Sequence, residues 1–203
     1  MNGYHSVLGS ASFLRSLLDF DSGTASHVRA GGCCHCGGGP LYQADFSRKP
    51  RGVPEELEEK FSKRLSLCCG AEGCRKRTTP PSVCFLGRRA YIAVTFILLS
   101  MLRHGATDDR VKQLRLEFHG QFPADRRTLS RWREWWQHRL PALSFWRVAR
   151  SRLRSPVLSA DLPAGWVQSF LGDAAQQLAS TLKSLSPLST SSCPSGSGTA
   201  MVS

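Results

Sequence analysis

Residues 32–41, Gly-Cys-Cys-His-Cys-Gly-Gly-Gly-Pro-Leu, and residues 67–77, Leu-Cys-Cys-Gly-Ala-Glu-Gly-Cys-Arg-Lys-Arg, together hold six of the eight cysteines of the chain. Cys33-x-x-Cys36 has the spacing at which two thiolates leave one tight turn and converge on a tetrahedral ion. The glycines after it permit the backbone such a turn needs. Cys69-x4-Cys74 supplies a second pair, so that the whole reads C-x2-C-x32-C-x4-C, the pattern of a four-cysteine zinc ribbon. The expected ligands are Cys33, Cys36, Cys69 and Cys74. The doublets Cys33-Cys34 and Cys68-Cys69 leave the choice open by one residue at each knuckle, with Cys34 and Cys68 as the members left over. His35 reads as a turn residue, and Cys84, ahead of Phe85-Leu86, as a small buried hydrophobe.

The opening residues place Arg15, Asp19 and Asp21 where a secretory signal stays apolar, which reads as a cytoplasmic leader. In that compartment clustered cysteines bind metal rather than form disulfides. The expected zinc is structural, because a module this small needs a staple. A catalytic zinc keeps one position open and normally shows histidine or carboxylate ligands, and none is spaced for it here.

Outward from the cysteines, charge is uneven. The net charge is +12, and residues 84–154 carry fifteen Lys and Arg against five Asp and Glu, whereas residues 1–83 carry eleven against eight. A concentrated cationic stretch suits a polyanion, since each neutralised phosphate releases counterions. The longest apolar run, Tyr91 to Leu102, is shorter than the roughly 20 residues a membrane span needs and is expected as a core helix, with no membrane partner.

Asp125 to Leu140, DRRTLSRWREWWQHRL, is the most informative helical segment. Asp125 is suited to cap it. At helical spacing Leu129, Trp132, Trp136 and Leu140 form an apolar stripe, with Arg127, Ser130, Arg131, Glu134 and His138 turned the other way. Upstream, Thr107 is placed to cap a helix with apolar positions Val111, Leu114 and Phe118. The connector 119–124 then suits a helix-turn-helix, with Arg88 to Arg103 as its covering helix. In that arrangement the Asp125 helix enters the major groove, where Arg127 and Arg131 read bases or clamp phosphates. Arg147, Arg150 and Arg154 share a further helical face able to follow the backbone. Trp135 lies off the stripe and is the candidate for base stacking.

The segments CCHCGGGPLYQADFSRKPRG, LSLCCGAEGCRKRTTPPSVCFLGRR and RRTLSRWREWW resemble bacterial transposase-associated zinc-ribbon/helix-turn-helix proteins, which are encoded with mobile elements. The resemblance runs from about Gly32 to Pro156. It implies binding to element ends or another double-stranded DNA site through Cys33, Cys36, Cys69, Cys74, Arg127 and Arg131. Its second knuckle, CxxxxC, departs from the commoner CxxC. A strand-transfer nuclease needs several carboxylates around two metals, and only Asp161 and Asp173 follow residue 154. The chain is therefore expected not to be an enzyme, any catalysis lying in a separate transposase or recombinase subunit.

The expected fold is small α+β: a poorly ordered leader over 1–30, a zinc ribbon over 31–87, an all-α three-helix helix-turn-helix domain with a basic extension over 88–156, a C-terminal helix over 157–185, and a disordered tail over 186–203. The expected function is DNA binding in a mobile-element system, in the cytoplasm and associated with the nucleoid. A stand-alone zinc-ribbon transcription regulator is the alternative. A cysteine-based redox or metal enzyme is a third reading, and RNA is a possible partner because a basic surface does not separate duplex types.

Overall fold

A computed structural model describes residues 2–86, 92–101, 107–109, 111–112 and 125–190. It is a small α+β structure. Helices α1 (Asn2–Leu8) and α2 (Ala11–Ala30) lead into short antiparallel strands β1 (Leu41–Gln43) and β2 (Phe46–Ser47). A 3-10 turn, Glu55–Leu57, runs into α3 (Glu58–Phe61), followed by β3 (Lys63–Arg64), β4 (Leu67–Cys69) and β5 (Arg77–Thr78). The helical half comprises α4 (Ala93–Ser100), α5 (Arg126–Glu134), a π-helical turn (Trp135–Arg139), α6 (Leu140–Ala142) and α7 (Ser144–Ser151). It ends with α8 (Ala164–Gln168), α9 (Ala174–Leu185) and a 3-10 turn, Ser186–Ser189.

The leader is the first correction, because α1 and α2 occupy most of it. Ser10 caps α2 by accepting the Phe13 N–H, and at the far end the Gly31 N–H returns to His27. Phe13, Leu14, Leu17 and Asp21 lie buried along one face. Val7 and Leu8 of α1 are buried with them, and the Tyr4 hydroxyl donates to Gln177 of α9. The apolar residues of the leader thus find a partner more than 150 residues away, which local sequence does not disclose.

Strands β1, β4 and β5 form one sheet with β4 in the middle, and β2 pairs with β3 in another. Leu41 faces Cys69 and Tyr42 faces Cys68, while Leu67 faces Thr78 and Cys68 faces Arg77. Alternation puts Leu41, Leu67, Cys69 and Thr78 on a buried side. Val83 to Leu86, with Cys84 buried as expected, are non-strand chain in the main core.

That core does not divide at residue 87. Val53, Leu57, Phe61 and Val83 to Leu86 pack with α1, α2, α4 and α5 to α9 in one cluster, while Cys33, Leu41, Leu67 and Cys69 form a smaller one with Val28, Ala71 and Cys74. Helix α2 reaches both: Leu14 and Leu17 enter the large cluster and Val28 touches the small one.

All eight residues of α4 are buried, as a helix apolar on every side must be. Phe96 of α4 meets Trp132 and Trp135 edge-on at 5.0 and 5.5 Å between ring centres, and stacks on Trp136 at 5.8 Å. The π-helical turn lies just before Pro141, which has no N–H to give Gln137 and whose ring crowds that carbonyl.

The expected single C-terminal helix is broken. Pro163 opens α8, Gly172 turns at a φ of +102°, and Asp173 with Gln176 forms a capping box that starts α9. The expected tail also begins late: Ser189 Oγ accepts the Ser82 N–H at 2.7 Å, and Thr190 Oγ1 donates to the Thr79 carbonyl at 2.6 Å. Residues 191–203, also assigned to the tail, lie outside the described residues. Among the described residues no helix is long and apolar enough to cross a membrane.

Candidate metal centre

Helix α2 ends at Gly31, and Gly32, at a φ of +74°, turns the chain into the first knuckle. Cys33 donates its N–H to the Gly39 carbonyl at 2.9 Å and accepts the Gly38 N–H at 2.9 Å, which closes the loop carrying Cys36. The second knuckle leaves β4 at Cys69 and returns toward β5 after Cys74. It is tied by the Cys69 N–H to Lys76 and by the Cys74 N–H to Ala71.

The four thiols meet between these loops. The Sγ atoms of Cys33, Cys36, Cys69 and Cys74 all lie within 4.8 Å of one another. Cys33 and Cys74 are 3.8 Å apart, and Cys36 and Cys69 are 3.6 Å apart. A disulfide needs about 2.05 Å. A tetrahedron of sulfurs around zinc, with bonds of about 2.3 Å, has edges of about 3.8 Å. The donor set therefore fits one tetrahedral metal ion, and it is the set expected from spacing. Cys34 and Cys68 stand outside it.

Two details extend the fit beyond the ligands. Ala71 donates its N–H to Cys69 Sγ at 3.4 Å, the type of bond that steadies a thiolate. A Cβ on Gly39 would stand 2.9 Å from Cys36 Sγ and 3.0 Å from Cys69 Sγ, so this glycine leaves room for the sulfurs to converge. Sequence marks Gly39 only as the third of three glycines.

The thiols also differ in acidity. Burial raises Cys33, but hydrogen bonds from the His35 and Cys36 amides and from neighbouring thiols outweigh it and bring it down to about 7. At Cys69 the Ala71 amide lowers the value, yet burial and the thiols of Cys36, Cys33 and Cys74 push it up to about 12. One negative charge forms readily and further ones are opposed. A cation removes that opposition.

The arginines expected to contact DNA lie in the helical half, away from the thiols. Asp125 caps α5 by accepting the Thr128 N–H at 2.6 Å. Leu129, Trp132, Trp136 and Leu140 are buried as expected, and Arg127, Ser130, Arg131 and Glu134 are exposed. Arg131 Nη2 donates to Thr128 Oγ1 at 3.1 Å, and Glu134 faces Arg139 at 4.0 Å. Arg126, Ser130, Arg133, Glu134, Gln137 and His138 line a shallow groove along the same helix, a feature the pairwise reading of Arg127 and Arg131 missed. Arg147 and Arg150 are exposed on α7, and Arg154 beyond it. Trp135 is not a free stacking platform, since it packs against Phe96 and Trp136.

Of the expected first helix of the helix-turn-helix, Val111 is buried and donates to the Thr107 carbonyl at 3.0 Å. Leu114, Phe118 and the connector 119–124 lie outside the described residues, as do 88–91 and 102–103 of the covering helix. Comparison of the chain with protein families, curated proteins and solved structures finds no match.

Proposed function

We propose that this chain is a non-catalytic DNA-binding protein in which a structural zinc ion folds a ribbon module and the outer face of α5 contacts duplex DNA. The observation that carries the reading is the division of α5 into two sides. Its apolar side is locked into an aromatic core, and its other side presents Arg127, Ser130 and Arg131 to solvent. A rigidly seated helix with exposed guanidinium groups has the form of a groove reader, and Thr128 holds Arg131 in place before any DNA arrives. Arg147, Arg150 and Arg154 add cations able to meet phosphates beside the groove.

Zinc would be held by Cys33, Cys36, Cys69 and Cys74. All four positions being thiolates, its task is to hold the knuckles together rather than to activate water. A role in a transposase-like system, with strand transfer carried out by a separate chain on nucleoid DNA, follows from the resemblance of the cysteine and arginine segments and rests on it alone.

The test is metal analysis of the purified chain, followed by duplex selection at two salt concentrations. One zinc per chain, an enriched sequence and steeply salt-dependent binding support the proposal. Arg127→Ala and Arg131→Ala should each weaken binding, and removing a guanidinium that neutralises a phosphate should lower the salt slope by about 1. Retention of full duplex affinity in the double variant would overturn the assignment of α5.

A further inference from the structure

Strand register decides which side chains share the open side of the three-stranded sheet. Tyr42 is paired with Cys68, and Cys68 with Arg77. Directly opposed residues project to the same side, so Tyr42, Cys68 and Arg77 form a row across the sheet. The reverse side, with Leu41, Leu67, Cys69 and Thr78, is buried. Tyr42 is 56% exposed, the more notable because it is a large ring held in position. A Cβ on Gly70 would overlap the ring, 2.8 Å from its Cδ2, so the second cysteine knuckle seats Tyr42 with no side chain between them.

Cations interleave with aromatic rings along this side. Arg77 donates through Nη1 to the Ala44 carbonyl at 2.8 Å and to Ser66 Oγ at 3.4 Å, and its guanidinium lies 5.8 Å from the centre of the Phe46 ring. The Arg48 guanidinium lies 5.0 Å from the same ring. Residues 41–52 and 63–78 carry eight Lys and Arg, of which Arg64 alone is buried, against two acids, Asp45 and Glu72. Asp45 is already occupied, accepting the Ser66 N–H at 3.0 Å and the Gln43 amide at 2.6 Å. Half of the acidic residues before residue 84 are Glu55, Glu56, Glu58 and Glu59, on the turn and helix that separate β2 from β3. Summed along the chain they hide the basic strands.

We infer that this open sheet face binds single-stranded nucleic acid, an unpaired base stacking on Tyr42 while Arg77 and Arg48 meet the adjoining phosphates. A fixed aromatic ring among cations suits an unpaired strand, since every base offers a face to stack on, whereas the bases of a duplex offer theirs only to one another. An acidic peptide would use the arginines and leave Tyr42 idle. The surface is separate from α5, and the inference does not depend on α5 reading a duplex.

The experiment uses the full chain as purified, with labelled oligothymidylate and oligouridylate of about 20 nucleotides, within reach of known single-strand site sizes. Tyr42→Ala should weaken binding of both roughly fivefold or more, with Tyr42→Phe close to the parent, because stacking needs the ring and not the hydroxyl. Preference for one oligomer assigns the strand as DNA or RNA. Duplex affinity should be unchanged in Tyr42→Ala and lowered in Arg127→Ala, so the two readings fail separately. Equal single-strand affinity in the parent and a folded Tyr42→Ala would overturn the inference, as would competition by polyglutamate with no dependence on Tyr42. Should Tyr42→Ala lose its metal, photocrosslinking of the parent to 5-iodo-deoxyuridine in the oligomer gives the answer. An adduct on the Tyr42 peptide supports the surface, and adducts confined to α5 overturn it.

Discussion

The hydroxyl of Ser82 donates to the carboxylate of Asp21 at 2.5 Å, joining the middle of α2 to the chain that leaves the cysteine module. The Val83 N–H donates to the other oxygen at 2.7 Å, and Ser82 Oγ in turn accepts from the Cys84 and Phe85 amides. Asp21 is only 5% exposed. Asp21→Ala should therefore destabilise the chain by about 1–3 kcal/mol for each buried donor left without an acceptor, read from urea denaturation.

The same carboxyl gives a pH dependence. Burial raises it above its ordinary 3.8, against the lowering influence of Ser82, Val83 and the positive charge of Arg64. A carboxyl with a raised folded value keeps its proton more firmly in the folded chain. Its contribution is complete below the unfolded value and is lost as pH rises toward the folded one. Asp21→Asn, which retains an acceptor oxygen and cannot ionise, should remove this loss just above pH 3.8. An identical slope in the parent and Asp21→Asn would assign it to another group.

Metal removal should separate the quartet from the other cysteines. Cys33→Ser, Cys36→Ser, Cys69→Ser and Cys74→Ser should each reduce bound metal well below one ion per chain, and Cys68→Ser should not, as measured by emission spectrometry. Gly39→Ala adds a Cβ at 2.9 Å from Cys36 Sγ. It should lower metal affinity about 10- to 100-fold, the usual cost of disturbing the surroundings of a ligand, in a competition titration with a chelator.

The aromatic core should be costly to open. Phe96 touches three tryptophans, and Trp136 is fully buried between Phe96 and Trp166. Phe96→Ala and Trp136→Ala should each cost about 3–5 kcal/mol. Because this core holds the rear of α5, Phe96→Ala should also weaken duplex binding if the exposed face of α5 meets DNA as proposed, although Phe96 lies on the buried side of that helix. Calorimetry and the duplex assay together check both effects.

Asp125 offers a milder test of the same helix. Its bond to the Thr128 N–H, helped by the Thr128 hydroxyl and nearby Arg131 and Arg127, holds its carboxyl below 3.8. For a depressed carboxyl the contribution is present above the unfolded value and is lost as pH falls through the folded one. Asp125→Ala should lower Tm at neutral pH and cease to differ from the parent in strong acid. A difference that persists there would show that capping is not its source.

Where spacing within one element carried the information, sequence was sufficient. It determined the four clustered thiols, because each knuckle is a local turn with its cysteines a few residues apart. It determined the buried stripe of α5 and its Asp125 cap, because helical periodicity is local as well. It also marked the apolar run that became α4. It chose among the doublets only as an expectation, and the strand register made the choice concrete: Cys69 lies on the buried side of β4 and Cys68 on the open side.

Only the tertiary structure decided what depends on distant partners. Leu14 and Leu17 owe their burial to a core that α2 shares with α1, α4 and α5 to α9. Trp135 looked free until Phe96 was seen against it. Burial is a property of surfaces brought together, and linear spacing specifies those surfaces only when both belong to the same helix or turn.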